Sequence, residues 1–203
     1  MFKTGIIGLL IFYIFQTNLS ATFILKDELQ IHQEFHNQID ILGEELFTKL
    51  GISAYVLILK TTDGKSLTKL GSEELAKLPK NSLILTFTEL ERKVDIVASQ
   101  DILKLFDKDQ ILSPFPWRGT ILPILGEKIK QDPRNKYSVA LFNGYADIVE
   151  QIAENSNIVL ENSVGSSNKF VINIIRAIFY GIIVIALGYI VYKKLFKQKE
   201  SDV

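Results

Sequence analysis

No cysteine occurs in the 203 residues, which removes disulfides, thiolate nucleophiles, iron–sulfur clusters and Cys-ligated zinc together. The absence leaves the compartment open, because oxidising and reducing environments both accept a Cys-free chain. Histidine is nearly as scarce, at two residues, so no three-histidine metal site can form. Excess charge of one sign is also missing. With 23 Lys+Arg against 23 Asp+Glu, the net charge is zero, which argues against the broad basic surface that non-specific nucleic-acid binding needs. The phosphate-cradling patterns G-x-x-x-x-G-K-[ST] and G-x-G-x-x-G are absent, as is the G-x-S-x-G elbow that presents a serine nucleophile. No internal repeat or low-complexity run appears, and no catalytic residue is assigned. What the chain does have is length for one domain of ordinary size.

Its hydrophobic residues, 47% of the total, are unevenly spread. Residues 1–21 have the layout of a secretory signal: Lys3 as a short positive start, the apolar run Gly5–Phe15, and Leu19-Ser-Ala21, where a small residue can precede cleavage. That run is too short for a spanning helix, which takes about 20 residues. An uncleaved anchor or a buried first helix is the competing reading. Residues 170–192 form a second run of 23, broken by one charge, Arg176. As a helix it would reach roughly 34 Å, enough for a bilayer. Arg176 is expected to snorkel at one interface, with Tyr180, Tyr189 and Tyr192 as interfacial anchors. The alternative, a soluble core helix, fits poorly with a segment apolar on every face.

Lys193, Lys194, Lys197 and Lys199 crowd the tail, so the positive-inside rule places the C-terminus in the cytoplasm, which agrees with export of the middle of the chain. The expected layout is a signal peptide at 1–21, an α/β domain at 22–161, a flexible tether at 162–169, a transmembrane helix at 170–192 and a basic cytoplasmic tail at 193–203. This describes a single-pass inner-membrane protein with its bulk in the periplasm, whose first partner is the lipid bilayer through 170–192. Charge follows the same partition. Between Thr22 and Asn168, 16 Lys+Arg face 21 Asp+Glu, so the exported body carries −5, and the balancing positive excess lies in the signal, Lys169, the span and the tail. Anionic headgroups would repel such a body, so the helix and not surface charge is expected to hold it at the membrane.

Within the body, Phe35, Ile39, Leu42, Leu46 and Leu50 make one helical stripe over Glu28–Leu50, with Gly51 as its C-cap. Ile52–Leu59 is apolar on both faces, as a strand inside a sheet should be. Thr62-Asp-Gly-Lys65 is a turn, and Leu67–Leu78 a short helix closed by Pro79. Ser82–Thr88 and Lys93–Ala98 are strands joined by so short a link that they must pair antiparallel. Ile102–Phe106 and Ile121–Lys130 are expected helices, with Asp132-Pro133 breaking the second. Lys136–Asn155 is the strongest later helix, with Gly144 allowing close approach to the sheet, and Asn157–Glu161 is expected as a last edge strand. The fold class is α/β: a small mixed sheet with helices packed on it, plus the C-terminal transmembrane helix.

Three stretches in this order resemble the TPM domain family: Asn81-Ser-Leu-Ile-Leu-Thr-Phe-Thr88, Glu91-Arg-Lys-Val-Asp-Ile-Val97, and Tyr137–Ile152. They correspond to that family's "NGvLLlv" strand, "R-x-v-x-I" return strand and late "y-x-x-al-x-x-g" helix. The likeness covers roughly Asp27–Leu160, and a signal peptide before and a membrane helix after are common there. Ser82 replaces the usual glycine, Ser99-Gln100 a glycine-bearing turn, and Leu78-Pro-Lys80 a longer "wGiG" stretch. The resemblance implies the fold and an assembly or maintenance role beside a membrane complex, since chloroplast-lumen members resemble repair factors. It also implies a runner-up activity, because some members resemble phosphatases or calcium binders that use aspartates near Asp107 and Asp109.

Three groups of residues remain as candidates for chemistry or contact. His32 and His36, at i and i+4, share a helix face and could share a metal, although ordinary surface histidines are the simpler reading. Asp107 and Asp109 are the candidate Ca or Mg ligands. Calcium takes six to eight oxygens, so two carboxylates fall short, and the simpler reading is that Asp109 caps the next helix. Phe115-Pro-Trp-Arg118 places the only Trp beside an Arg in a Pro-rich loop, residue types that dominate binding hot spots, so Phe115, Trp117 and Arg118 are the candidate partner patch. The competing reading is that the two rings cover the core. The functional expectation is a membrane-tethered, non-enzymatic module for a membrane-protein partner, without nucleic acid or an obligatory cofactor. The alternative is a metal-assisted phosphatase on the same fold.

Overall fold

The computed structural model describes residues 22–128 and 132–163. The signal segment, the 170–192 span with Arg176, Tyr180, Tyr189 and Tyr192, and the tail with Lys193 and Lys194 lie outside them. Among the described residues no helix is long and apolar enough to cross a membrane. Contacts divide the chain into a unit ending at Val159, described below, and a second unit beginning at Leu160.

β1 (Ile24–Asp27) leads through α1 (Gln33–Leu50) to β2 (Ser53–Leu59), and α2 (Leu67–Leu75) leads on to the hairpin β3 (Ser82–Thr88) and β4 (Lys93–Ala98). Two single turns, α3 (Gln100–Leu103) and α4 (Lys108–Ile111), precede α5 (Leu122–Gly126) and the long α6 (Pro133–Asn155). The sheet order is β1-β2-β3-β4, with the first three strands parallel and the last antiparallel. The observed architecture is therefore a four-stranded mixed sheet with helices, as expected.

Several elements differ from the sequence reading. β1 has no counterpart in it. The strand has four residues and its pairing slips between Ile24 and Lys26, so no alternating pattern accumulates. α1 starts at Gln33 and not Glu28, because the Asp27 carboxylate winds the intervening segment round itself. It accepts from the Leu29 N–H at 2.9 Å and the Ile31 N–H at 2.7 Å. Gly51 does cap α1, in the left-handed region at φ 66°, with its N–H on the Phe47 carbonyl at 2.7 Å. α2 stops three residues short of Leu78, and α3 and α5 are shorter than the expected Ile102–Phe106 and Ile121–Lys130. Pro133 begins α6 at its first turn, where a missing N–H costs nothing, and Asp132 caps the Arg134 N–H at 2.9 Å. The expected edge strand over Asn157–Glu161 does not form. Asn157 turns left-handed at φ 57° and the Ile158 N–H returns to the Ala153 carbonyl at 2.8 Å, a Schellman closure of α6.

Side-chain alternation assigns the two faces of the sheet. Ala54, Val56 and Ile58 lie beside Leu83, Leu85 and Phe87, and this face receives α1 and α6. The Phe87 ring meets that of Tyr137 at 5.0 Å, and the fully buried Tyr145 hydroxyl donates to the Ala54 carbonyl at 2.8 Å. Burial holds the Tyr145 phenol well above its usual pKa, so it stays a donor. Gly43 of α1 lets this packing close, because a Cβ there would strike the Phe23 ring and stand 2.7 Å from the Tyr145 oxygen. Gly144 does not face the sheet as expected: a Cβ there would overlap the Ile121 side chain.

The opposite face carries Ser82, Ile84, Thr86 and Thr88, and α2 rests on it with Gly71 against Thr86 and Val97. β1, β2 and β3 are laid down in one direction, yet α1 and α2 cover opposite faces. The two crossovers therefore have opposite hands, and one departs from the usual right-handed rule. β3 is buried along its whole length, and the Ser82, Thr86 and Thr88 hydroxyls find no hydrogen-bond partner among the described residues. Thr86→Val, which replaces an unpartnered hydroxyl by a methyl, is expected to stabilise the fold by about 1 kcal/mol. A thermal midpoint below wild type would show that the hydroxyl is satisfied.

The hairpin turn is tied to the β2–α2 loop by Glu91. Its carboxylate accepts from the Thr61 hydroxyl at 2.8 Å and from the Thr62 N–H and hydroxyl, both at 3.0 Å. These donors, the Thr62 N–H foremost, lower its pKa from 4.5 to about 2. A lowered carboxylate pKa gives stability that is complete above the unfolded value, near 4.5, and is lost as pH falls towards 2. Glu91→Gln is expected to flatten the acid limb of a midpoint-against-pH curve in that window. A curve parallel to wild type would count against the tie.

Candidate functional site

The chain leaves α4 through Leu112 and makes a tight excursion, residues 113–120, before α5. The Arg118 and Gly119 N–H groups both return to the Phe115 carbonyl, at 3.0 and 2.7 Å, and the Thr120 N–H reaches the Ile111 carbonyl at 3.2 Å. Gly119 is obligatory for packing reasons, since a Cβ there would fall on the Ser113 backbone carbonyl. A polar cluster on α6 holds the loop from below. Asp147 accepts from the Thr120 hydroxyl and from the Gln110 and Gln151 amides, the last at 2.9 Å. Gln110 also donates to the Arg118 carbonyl at 2.7 Å and accepts from Gln151 at 2.6 Å. The Gln151 side-chain Oε1 accepts from the Asp107 N–H at 2.8 Å.

On this fixed loop Phe115 and Trp117 stack on each other, with ring centroids 5.0 Å apart and planes 19° from parallel. They do not cover the core: Phe115 is 52% and Trp117 81% exposed. Arg118 follows Trp117 in the chain, its guanidinium 3.9 Å from Asp107 and its side chain half exposed. The three residues singled out from sequence are thus brought together on one surface. Thr120, Gln110, Asp147 and Gln151, which position them, do not stand out in the sequence. The one signal there is Asp147 and Gln151 at i,i+4 on a helix otherwise apolar toward the core.

The other candidates are used locally. Asp107, not Asp109, caps α4, accepting from the Gln110 N–H at 2.8 Å, and Asp109 lies exposed in that helix's first turn. His32 meets Asn135 at 2.6 Å and His36 meets Asp27 at 2.9 Å, so the two imidazoles serve different partners. Among the described residues no three His, Asp or Glu side chains gather as a metal site. A cavity of about 300 Å³ opens at the carboxyl ends of β1 and β2, where the chain departs to opposite faces. Leu25, Leu57, Leu59 and Leu70 line it together with Lys26 and Glu74.

Fold and site together define a class: a small mixed α/β domain presenting a rigid aromatic loop. No family model and no curated protein matches the chain. Among solved structures it is similar to the N-terminal domain of a protein from P. gingivalis, with a TM-score of 0.52 at 10% identity, over 68% of this chain and 87% of that one. It is also matched to the N-terminal domain of the cg2496 protein from Corynebacterium glutamicum, with a TM-score of 0.45 at 13% identity, over 68% of this chain and 81% of that one. The first likeness shows the fold.

Proposed function

We propose that this chain is an exported, membrane-tethered TPM-like module that acts by contact and not by catalysis, and that Phe115, Trp117 and Arg118 meet a membrane-protein partner. The exposure of a stacked aromatic pair on a loop fixed from beneath carries this reading. Holding large rings in water is unfavourable, and a preorganised loop loses little entropy when it docks. The span at 170–192 would confine the domain near the bilayer and raise its effective concentration for such a partner.

A photo-crosslinking residue at Pro116 in intact cells tests this directly. A membrane protein should be captured, and Trp117→Ala should lower that capture by roughly thirtyfold, the loss of about 2 kcal/mol typical of an aromatic hot spot. Leu90→Ala, which removes another exposed apolar side chain on the β3–β4 turn, should leave it unchanged. Capture of this chain alone, or equal loss in both variants, would refute the assignment.

A further inference from the structure

A separate cavity of about 470 Å³ lies between the β3–β4 turn, α5 and the first turn of α6. Leu122 and Leu125 give it an apolar wall, and Arg92, Lys128 and Lys136 bring three positive charges to its lining. Glu127 is the opposing charge in that lining, which leaves a local +2 on an exported body that sums to −5. Glu89 stands near enough to act, with Arg92, on the Tyr137 hydroxyl.

Lys136 is held in place. Its ammonium donates to the Leu125 and Glu127 carbonyls, at 3.1 and 3.2 Å, and keeps a third N–H to offer. The Arg92 and Lys128 side chains make no hydrogen bond or ion pair with the described residues. Arg92 also sits at φ 50°, a left-handed turn position that glycine would occupy without strain. An arginine at a position that glycine would fill at lower cost is consistent with a use for its side chain.

We propose that this cavity binds a phosphomonoester group carried on a short apolar body. A dianionic head matches the local +2, the Arg92 guanidinium can take two of its oxygens at once, and Leu122 and Leu125 shelter the apolar part. The inference is independent of the aromatic loop.

The test is calorimetric titration of the full chain, held in phosphatidylcholine nanodiscs, with hexyl phosphate and with inorganic phosphate. Hexyl phosphate should bind, and more tightly than inorganic phosphate. Arg92→Gly should weaken it by about tenfold or more, as loss of a charge-assisted bond does. The same variant should match or exceed the wild-type thermal midpoint, because glycine suits the turn, so lost binding could not be ascribed to unfolding. Lys128→Gln should weaken binding in the same sense. Phosphatidic acid in the nanodisc distinguishes the source: suppressed hexyl phosphate binding identifies a lipid headgroup as the occupant, and undiminished binding a soluble phosphomonoester. Absence of hexyl phosphate binding, or equal affinity in wild type and Arg92→Gly, overturns the proposal. Equal affinity for the two phosphates overturns its apolar half.

Discussion

Gly43→Val is expected to destabilise the domain by about 3 kcal/mol, lowering the thermal midpoint by roughly 10 °C. The helix itself does not require glycine there, since glycine is among the poorest helix formers. The requirement is tertiary. Phe23, entering from the residue before β1, and Tyr145, arriving from α6, both reach the space a side chain would fill. Phe23 is 2% exposed and Tyr145 fully buried, so neither ring can swing into solvent without opening the core. Moving Tyr145 would also break its bond to the Ala54 carbonyl and strand a buried hydroxyl. Gly126→Ala is the matching control: nothing stands within 4 Å of its Cβ position, and alanine should be neutral or stabilising by up to about 1 kcal/mol. Circular-dichroism melts of the two variants decide the matter, and equal midpoints would refute the packing account.

Gly119→Ala is expected to lower partner capture through the aromatic loop as much as Trp117→Ala does, although both rings remain. The clash is with backbone, so no rotamer relieves it. The loop must shift, which forfeits the Gly119 N–H bond at 2.7 Å, the Gln110 bond to the Arg118 carbonyl and the Thr120 bond to Asp147. Three such bonds together are worth about 3 kcal/mol, local to the loop. Trp117 is the only tryptophan, so its fluorescence reports on this segment alone. Altered emission and quencher access in Gly119→Ala, with far-UV circular dichroism unchanged, are the expected signature. A variant with wild-type emission and full capture would show that the loop's fixed shape is irrelevant to contact.

Part of this architecture is legible in the amino-acid sequence. Ser82–Thr88 and Lys93–Ala98 can be placed to the residue, since two apolar runs with a short link have one way to pair. Gly51 announces the end of α1 because one residue's left-handed φ closes a helix. β1 is hidden, since its four residues gain strand character from pairing with β2, some thirty positions away. Gly43 and Gly144 look alike in sequence, yet one admits Phe23 and Tyr145 and the other Ile121. The aromatic patch is recognisable by residue type, but its exposure is not. Its support links Gln110 and Thr120 to Asp147 and Gln151 across 27 to 41 positions.

What the sequence determined alone was the inventory and the local grammar. It excluded thiol chemistry, argued against a broad basic surface, placed the hydrophobic periods and the Gly51 end of α1, and put an aromatic pair and an arginine in one loop. These follow from composition or from neighbours a few bonds away. The tertiary structure alone decided which sheet face receives α2, that Phe115 and Trp117 stack in water, and that Arg92, Lys128 and Lys136 share a cavity. Those outcomes depend on groups far apart in the chain, which only close packing of the whole core brings to the same place.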